Sequence, residues 1–162
     1  MWSNLLHQGL KIAAACAAGI IFMLAGVASM ASLGVMPLED LASKADAIVY
    51  GRVIAIDTEH QESDTPAGKV VRLVATVRVD PYETLKGGGG PVIVRAVENM
   101  EDSPRFIQDA EVVLFLGINE SGPDYAVIGL TQGKFDVVDG RVTREQVGVE
   151  TFLDQVRALI GK

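Results

Sequence analysis

The sequence predicts a mostly β domain, a small β-barrel flanked by a short N-terminal helix and a C-terminal amphipathic helix, behind an apolar export helix. Three observations carry this. In KVVRLVATVRVD, Val71, Leu73, Ala75, Val77 and Val79 fall on one face of a strand and Arg72, Thr76 and Arg78 on the other, the period of two that a half-buried strand requires. VVLFLGI, from Val112 to Ile118, is apolar on both faces, as a central strand is. Phe152, Leu153, Val156, Leu159 and Ile160 recur at helical spacing near the end of the chain.

The N-terminal segment comes first. His7, Lys11 and the free amine precede a run without charge from Ile12 to Met36, the grammar of an export signal. The run thins into Ala28, Ser29, Met30, Ala31 and Ser32, and small residues at Ser29 and Ala31 suit cleavage after Ala31. It is also longer than the ~20 residues that cross a bilayer. Residues 1–31 therefore read as a signal peptide or an uncleaved signal anchor, and residues 32–162 as a single domain. Cys16, the lone cysteine, follows Ala13, Ala14 and Ala15 without the leucine that usually precedes a lipidated cysteine, so it reads as a small apolar residue of that segment. Beyond it the chain has no thiol, hence no disulfide and no cysteine-bound metal.

Leu38, Leu41, Ala42 and Ala45 predict a short helix over Pro37 to Ala45, opened by proline. AIVYGRVIAID, Ala47 to Asp57, is a buried strand, and Gly51 inside it marks a bulge or bend. Thr58 to Gly68, TEHQESDTPAG, reads as a solvated loop. The alternating strand follows and is ended or edged by Pro81, which cannot donate to a ladder. Gly87 to Gly90 form a slack connection to a strand over Pro91 to Val97. The strand Val112 to Ile118 is partnered by Tyr125 to Leu130, and Lys134 to Val138 joins Arg141 to Thr143 through Asp139 and Gly140, a strong two-residue hairpin signal. Thr151 and Asp154 are placed as an N-terminal cap pair for the last helix, with Gly161 at its stop. About seven strands result.

ADAIVYGRV, TVRVDPYETLKGG, FIQDAEVVLFL and YAVIGLTQGKF together resemble a loose group of secreted prokaryotic proteins of unassigned function, over roughly Leu38 to Val142. The layout is also similar to the netrin-like or metalloproteinase-inhibitor barrel. That resemblance implies an OB-like, five-stranded barrel with flanking helices. It does not carry over the inhibitor mechanism, which uses an N-terminal cysteine and a disulfide-tied barrel.

Charge narrows the partners. The 162-residue chain carries a net −7, and setting aside Lys11 leaves 13 basic against 21 acidic side chains, or −8. Such a surface repels nucleic-acid phosphates and anionic headgroups. No nucleic acid is expected, and membrane contact only through the N-terminal segment. His60 lies among Glu59, Glu62 and Asp64 in no metal-ligand spacing, so no metal and no cofactor are expected. Gly87 to Gly90 lack the helix, Lys and Ser or Thr that follow a phosphate loop. The carboxylates Glu98, Glu101 and Asp102 read as surface, and no Ser has a positioned base, so no catalytic residue is assigned. Gln132, Gly133, Lys134 and Phe135 form the most distinctive short motif. Gln132 and Lys134 could line a barrel mouth as ligand-binding residues; alternatively Gly133 supplies a bulge, Phe135 a core side chain and Gln132 a bond to loop backbone.

The expectation is an extracytoplasmic (secreted, periplasmic or cell-surface) non-catalytic binding or interaction module. Its partner would be an envelope or extracellular protein or a glycan. A structural or accessory envelope protein is the alternative, and a hydrolase with an unrecognised site the third reading.

Overall fold

The computed structural model describes residues 34–98, 100–119 and 123–161; the signal or anchor reading of residues 1–31, with Cys16, lies outside them. The described elements are α1 (Leu38–Lys44), β1 (Ala47–Thr65), β2 (Gly68–Lys86), β3 (Val92–Val97), β4 (Glu111–Ile118), β5 (Tyr125–Val127), β6 (Lys134–Val138), β7 (Arg141–Val142), β8 (Val147–Gly148) and α2 (Val149–Ile160). The chain is mostly β with a C-terminal helix, as expected. No described helix is long and apolar enough to cross a membrane.

The strands form one sheet in the order β1-β2-β3-β5-β4-β6-β7-β8, and β4 also pairs with β1. The first five strands thus make a ring of pairings, from which β6, β7 and β8 continue outward. It is not a clean barrel. The β3–β5 link is parallel and is registered at one pair alone, Val94 with Tyr125.

β4 explains why its sequence is apolar on both faces. Val113 and Phe115 join one buried cluster with Leu41, Phe135, Phe152 and Leu153, while Val112, Leu114 and Leu116 join another with Val49, Val77 and Val94. One side faces the helices and the other the interior of the ring. On the helix side the rings of Phe135 and Phe152 lie 4.8 Å apart and tilted by 45°; burying each such side chain contributes ~1.5–3 kcal/mol.

The β1–β2 ladder bends at three register shifts. Tyr50 is opposite Glu83 and Gly51 opposite Pro81, so Tyr82 is an extra residue on β2. This is the bulge anticipated at Gly51, and β2 runs through it. Pro81 therefore does not end the strand; it lies past Val79, the last residue of β2 that β3 pairs, on a stretch bound to β1 alone, an edge position that proline tolerates.

The larger correction concerns Thr58 to Gly68. This stretch is the outer part of a long hairpin arm, with Thr58 opposite Ala75 through to Thr65 opposite Gly68. Its side chains are largely exposed. Backbone pairing with an adjacent strand holds it, not a buried face. Three smaller corrections follow. β5 stops at Val127, because the chain turns at Gly129 and Leu130, both with positive φ. The short strand β8 was not anticipated. Helix α2 starts at Val149 after Gly148 with no side-chain cap bond, so Thr151 lies inside the helix, and Asp154 pairs with Arg157 at 2.5 Å. By contrast Asp139 and Gly140 take φ of 50° and 71°, as a two-residue hairpin between β6 and β7 requires.

Candidate functional site

The Gln132–Lys134 motif sits where the chain enters β6. A Cβ on Gly133 would meet Ile128 O at 2.6 Å and Phe115 O at 2.9 Å, so only glycine lets the turn lie against β4. Gln132 Oε1 accepts the backbone N–H of Met36, and its own carbonyl accepts Arg144 Nη2 at 2.7 Å. Lys134 pairs with Asp136, and its ammonium lies 5.5 Å from the Phe106 ring centre. Both side chains thus have intramolecular partners. Lys134 lines a shallow hollow with Glu101, Arg105 and Thr131 that Gln132 does not share.

A better-formed cleft lies elsewhere. Beyond the single β3–β5 pair, an opening of about 370 Å³ is lined by Gln61 from the arm, Arg72 and Val74 from β2, and Arg95, Ala96 and Val97 from β3. Met100, Ser103 and Pro104 close one side, and Asn119, Ala126, Val127 and Leu130 the other. That volume falls within the ~300–1,000 Å³ of small-ligand sites.

Register explains the convergence. Gln61 is opposite Arg72, Val74 opposite Val97 and Thr76 opposite Arg95, so the side chains of Gln61, Arg72, Val74, Arg95 and Val97 stand on one face, with Ala96 alternating to the other. Val74 shares its face of β2 with exposed Arg72 yet is only 5% exposed. Past β3 the chain stays against β2 for one residue more, with Glu98 N–H donating to Leu73 O at 2.8 Å, and Ser103 and Pro104 are buried beyond it.

Electrostatically the cleft is unlike the rest of the surface. It carries two guanidinium groups and no carboxylate among its described lining residues. Arg95 Nε lies 2.8 Å from Asp124 Oδ2. That contact is an ion pair without hydrogen-bond alignment, and the buried Nε–H has no hydrogen-bond acceptor among the described residues. Among the described residues, no histidine and no carboxylate lines the cleft with Ser103.

A hollow of about 460 Å³ between α1, the end of β2 and α2 includes Lys86, whose ammonium is already bonded to Ala42 O at 3.1 Å. At the bulge, where Tyr50 packs against the edge of the helix-side core, the hydroxyls of Tyr50 and Tyr82 donate to Glu111 Oε2 and Oε1 at 3.1 and 3.3 Å. Loss of solvent, then the hydrogen bond and negative charge of Glu111, push the Tyr50 hydroxyl up to about 12. Both oxygens of Glu111 are occupied, which makes this a clamp between β1, β2 and β4. His60 is exposed on the arm, and among the described residues no group of three or more His, Cys, Asp or Glu side chains could hold a metal ion.

No protein-family model matches the chain. No curated protein matches it either.

Proposed function

We propose that this chain is a non-catalytic binding module working outside the cytoplasm, delivered by its N-terminal segment, with an OB-like barrel as its scaffold. One observation carries the reading: the cleft is lined from the β1–β2 hairpin, the β2–β3 face and the β4–β5 connection. OB-type barrels take their ligands on these parts. The ring order β1-β2-β3-β5-β4 supports the OB-like scaffold, and the step from scaffold to binding is one of analogy. The partner is an envelope or extracellular protein or glycan, met at the cleft rather than at Gln132 and Lys134. A role as an accessory envelope protein draws on a different feature, the hairpin arm, whose exposed Val70 and Val71 lie on a strand that β3 does not cover at that height.

Capture from envelope extract tests the binding reading. The immobilised chain is compared with its Arg72→Glu variant, since Arg72 is exposed and its reversal leaves the core intact. A species retained by the wild type and lost from the variant supports a cleft-borne partner. Identical retention by both, or none by either, overturns it.

A further inference from the structure

We infer that the cleft binds the C-terminal carboxylate end of an extended peptide whose last side chains are aliphatic. This rests on the binding-module reading and names its ligand.

The sign of the charge comes first. In a chain with 21 acidic side chains, a cleft that gathers Arg72 and Arg95 and no described carboxylate is selective for an anion. Asp124 balances Arg95, whereas Arg72 has no ion pair among the described residues. Arg72 is therefore the uncompensated cation of the cleft, while Arg95, opposite Thr76 and so four residues along β2 from Arg72, is held by Asp124. A planar carboxylate accepts from guanidinium groups in matched geometry, and such charge-assisted bonds are the strong ones.

The apolar lining then selects what the carboxylate is attached to. Val74, Val97, Val127, Leu130 and Met100 supply aliphatic and thioether surface, and no aromatic ring is among the described lining residues. Sugar rings are usually held by stacking on aromatic faces, so a uronate glycan is disfavoured. Aliphatic side chains fill such a lining by exclusion of water. The volume of about 370 Å³ suits the last residues of a chain rather than a folded epitope. Gln61, on the arm opposite Arg72, adds an amide able to pair with peptide backbone. Capture of a terminal carboxylate is an established mode of peptide recognition.

The test titrates the purified full-length chain, by calorimetry at low salt, with three probes. They are an acetylated hexapeptide ending in Val-Leu with a free carboxylate, the same peptide as its C-terminal amide, and a diglucuronate. The free-acid peptide is expected to bind about tenfold or more tighter than the amide, the loss of one charge-assisted contact. Arg72→Gln should bring the free acid down to the level of the amide and leave the amide unchanged, with an unaltered melting temperature to show that the fold persists. Equal binding of acid and amide, or binding of neither, overturns the inference. Binding of diglucuronate alone, lost in Arg72→Gln, also overturns it while leaving the binding-module reading in place.

Discussion

Gly51 stands so close to β2 that a Cβ on it would lie 2.4 Å from Asp80 O and 2.8 Å from Pro81 Cα. The contact is backbone, so no side chain can rotate away, and the bulge that aims Tyr82 toward Tyr50 depends on it. Gly51→Ala is expected to destabilise by ~1–3 kcal/mol or more, the range for overpacking. Gly88, with nothing near its Cβ position, serves as control: Gly88→Ala should stay within about 1 kcal/mol of wild type. Urea midpoints measured side by side distinguish the two, and equal midpoints would mean that the Gly51 approach is not as described.

Val77 is fully buried within the ring and Arg78 beside it is exposed. Val77→Asp places a carboxylate without a partner among aliphatic side chains and should cost several kcal/mol, on the order of a small domain's whole stability. Arg78→Asp should shift the urea midpoint little. Similar losses from the two would show the strand one residue out of register.

The clamp on Glu111 has a signature at high pH. Tyr50 ordinarily ionises near 10 and in the folded chain near 12. Between these values the unfolded chain releases a proton that the folded chain retains. The stability linked to Tyr50 is thus complete below pH 10 and is lost as pH rises toward 12. Absorbance titration at 295 nm should show a tyrosine step near 12 that vanishes in Tyr50→Phe, and the variant's stability should fall less steeply over that window. A wild-type titration without that late step would contradict the clamp.

Gln132 latches the segment ahead of α1 through the Met36 N–H. Gln132→Ala should cost ~1 kcal/mol and speed hydrogen exchange at the Met36 amide, whereas Lys134→Ala should leave that amide unchanged. Equal exchange in the two variants would remove the latch.

How much of this could be read from the sequence depended on whether an element buries one face. β4, the 75–79 part of β2 and helix α2 do so, and their periodicity marked them. The arm does not: TEHQESDT has no buried side, so nothing but its partner strand specifies it, and strand pairing is not a local property. The cap at Thr151 failed for a related reason, since β8 runs directly into α2 at Gly148. Gln132 and Lys134 were conspicuous as neighbours in the chain, yet their side chains have separate partners. The cleft was hidden because Gln61, Arg72, Arg95, Met100 and Ala126 come from separate segments that the ring order brings together. Its one local trace was Arg72, Val74, Arg95 and Val97 on the outward side of alternating strands, where an isolated reading sees ordinary surface.

The central claim, that the cleft beyond the Val94–Tyr125 pair is the binding site, is tested most directly by amide NMR shifts on adding the free-acid peptide or a captured partner. The expected map is concentrated at Arg72, Val97, Met100, Asn119 and Ala126, with Tyr82 and Lys134 unmoved. Shifts centred on Gln132 and Lys134, or on Tyr82 and Glu111, with the cleft silent, would contradict it.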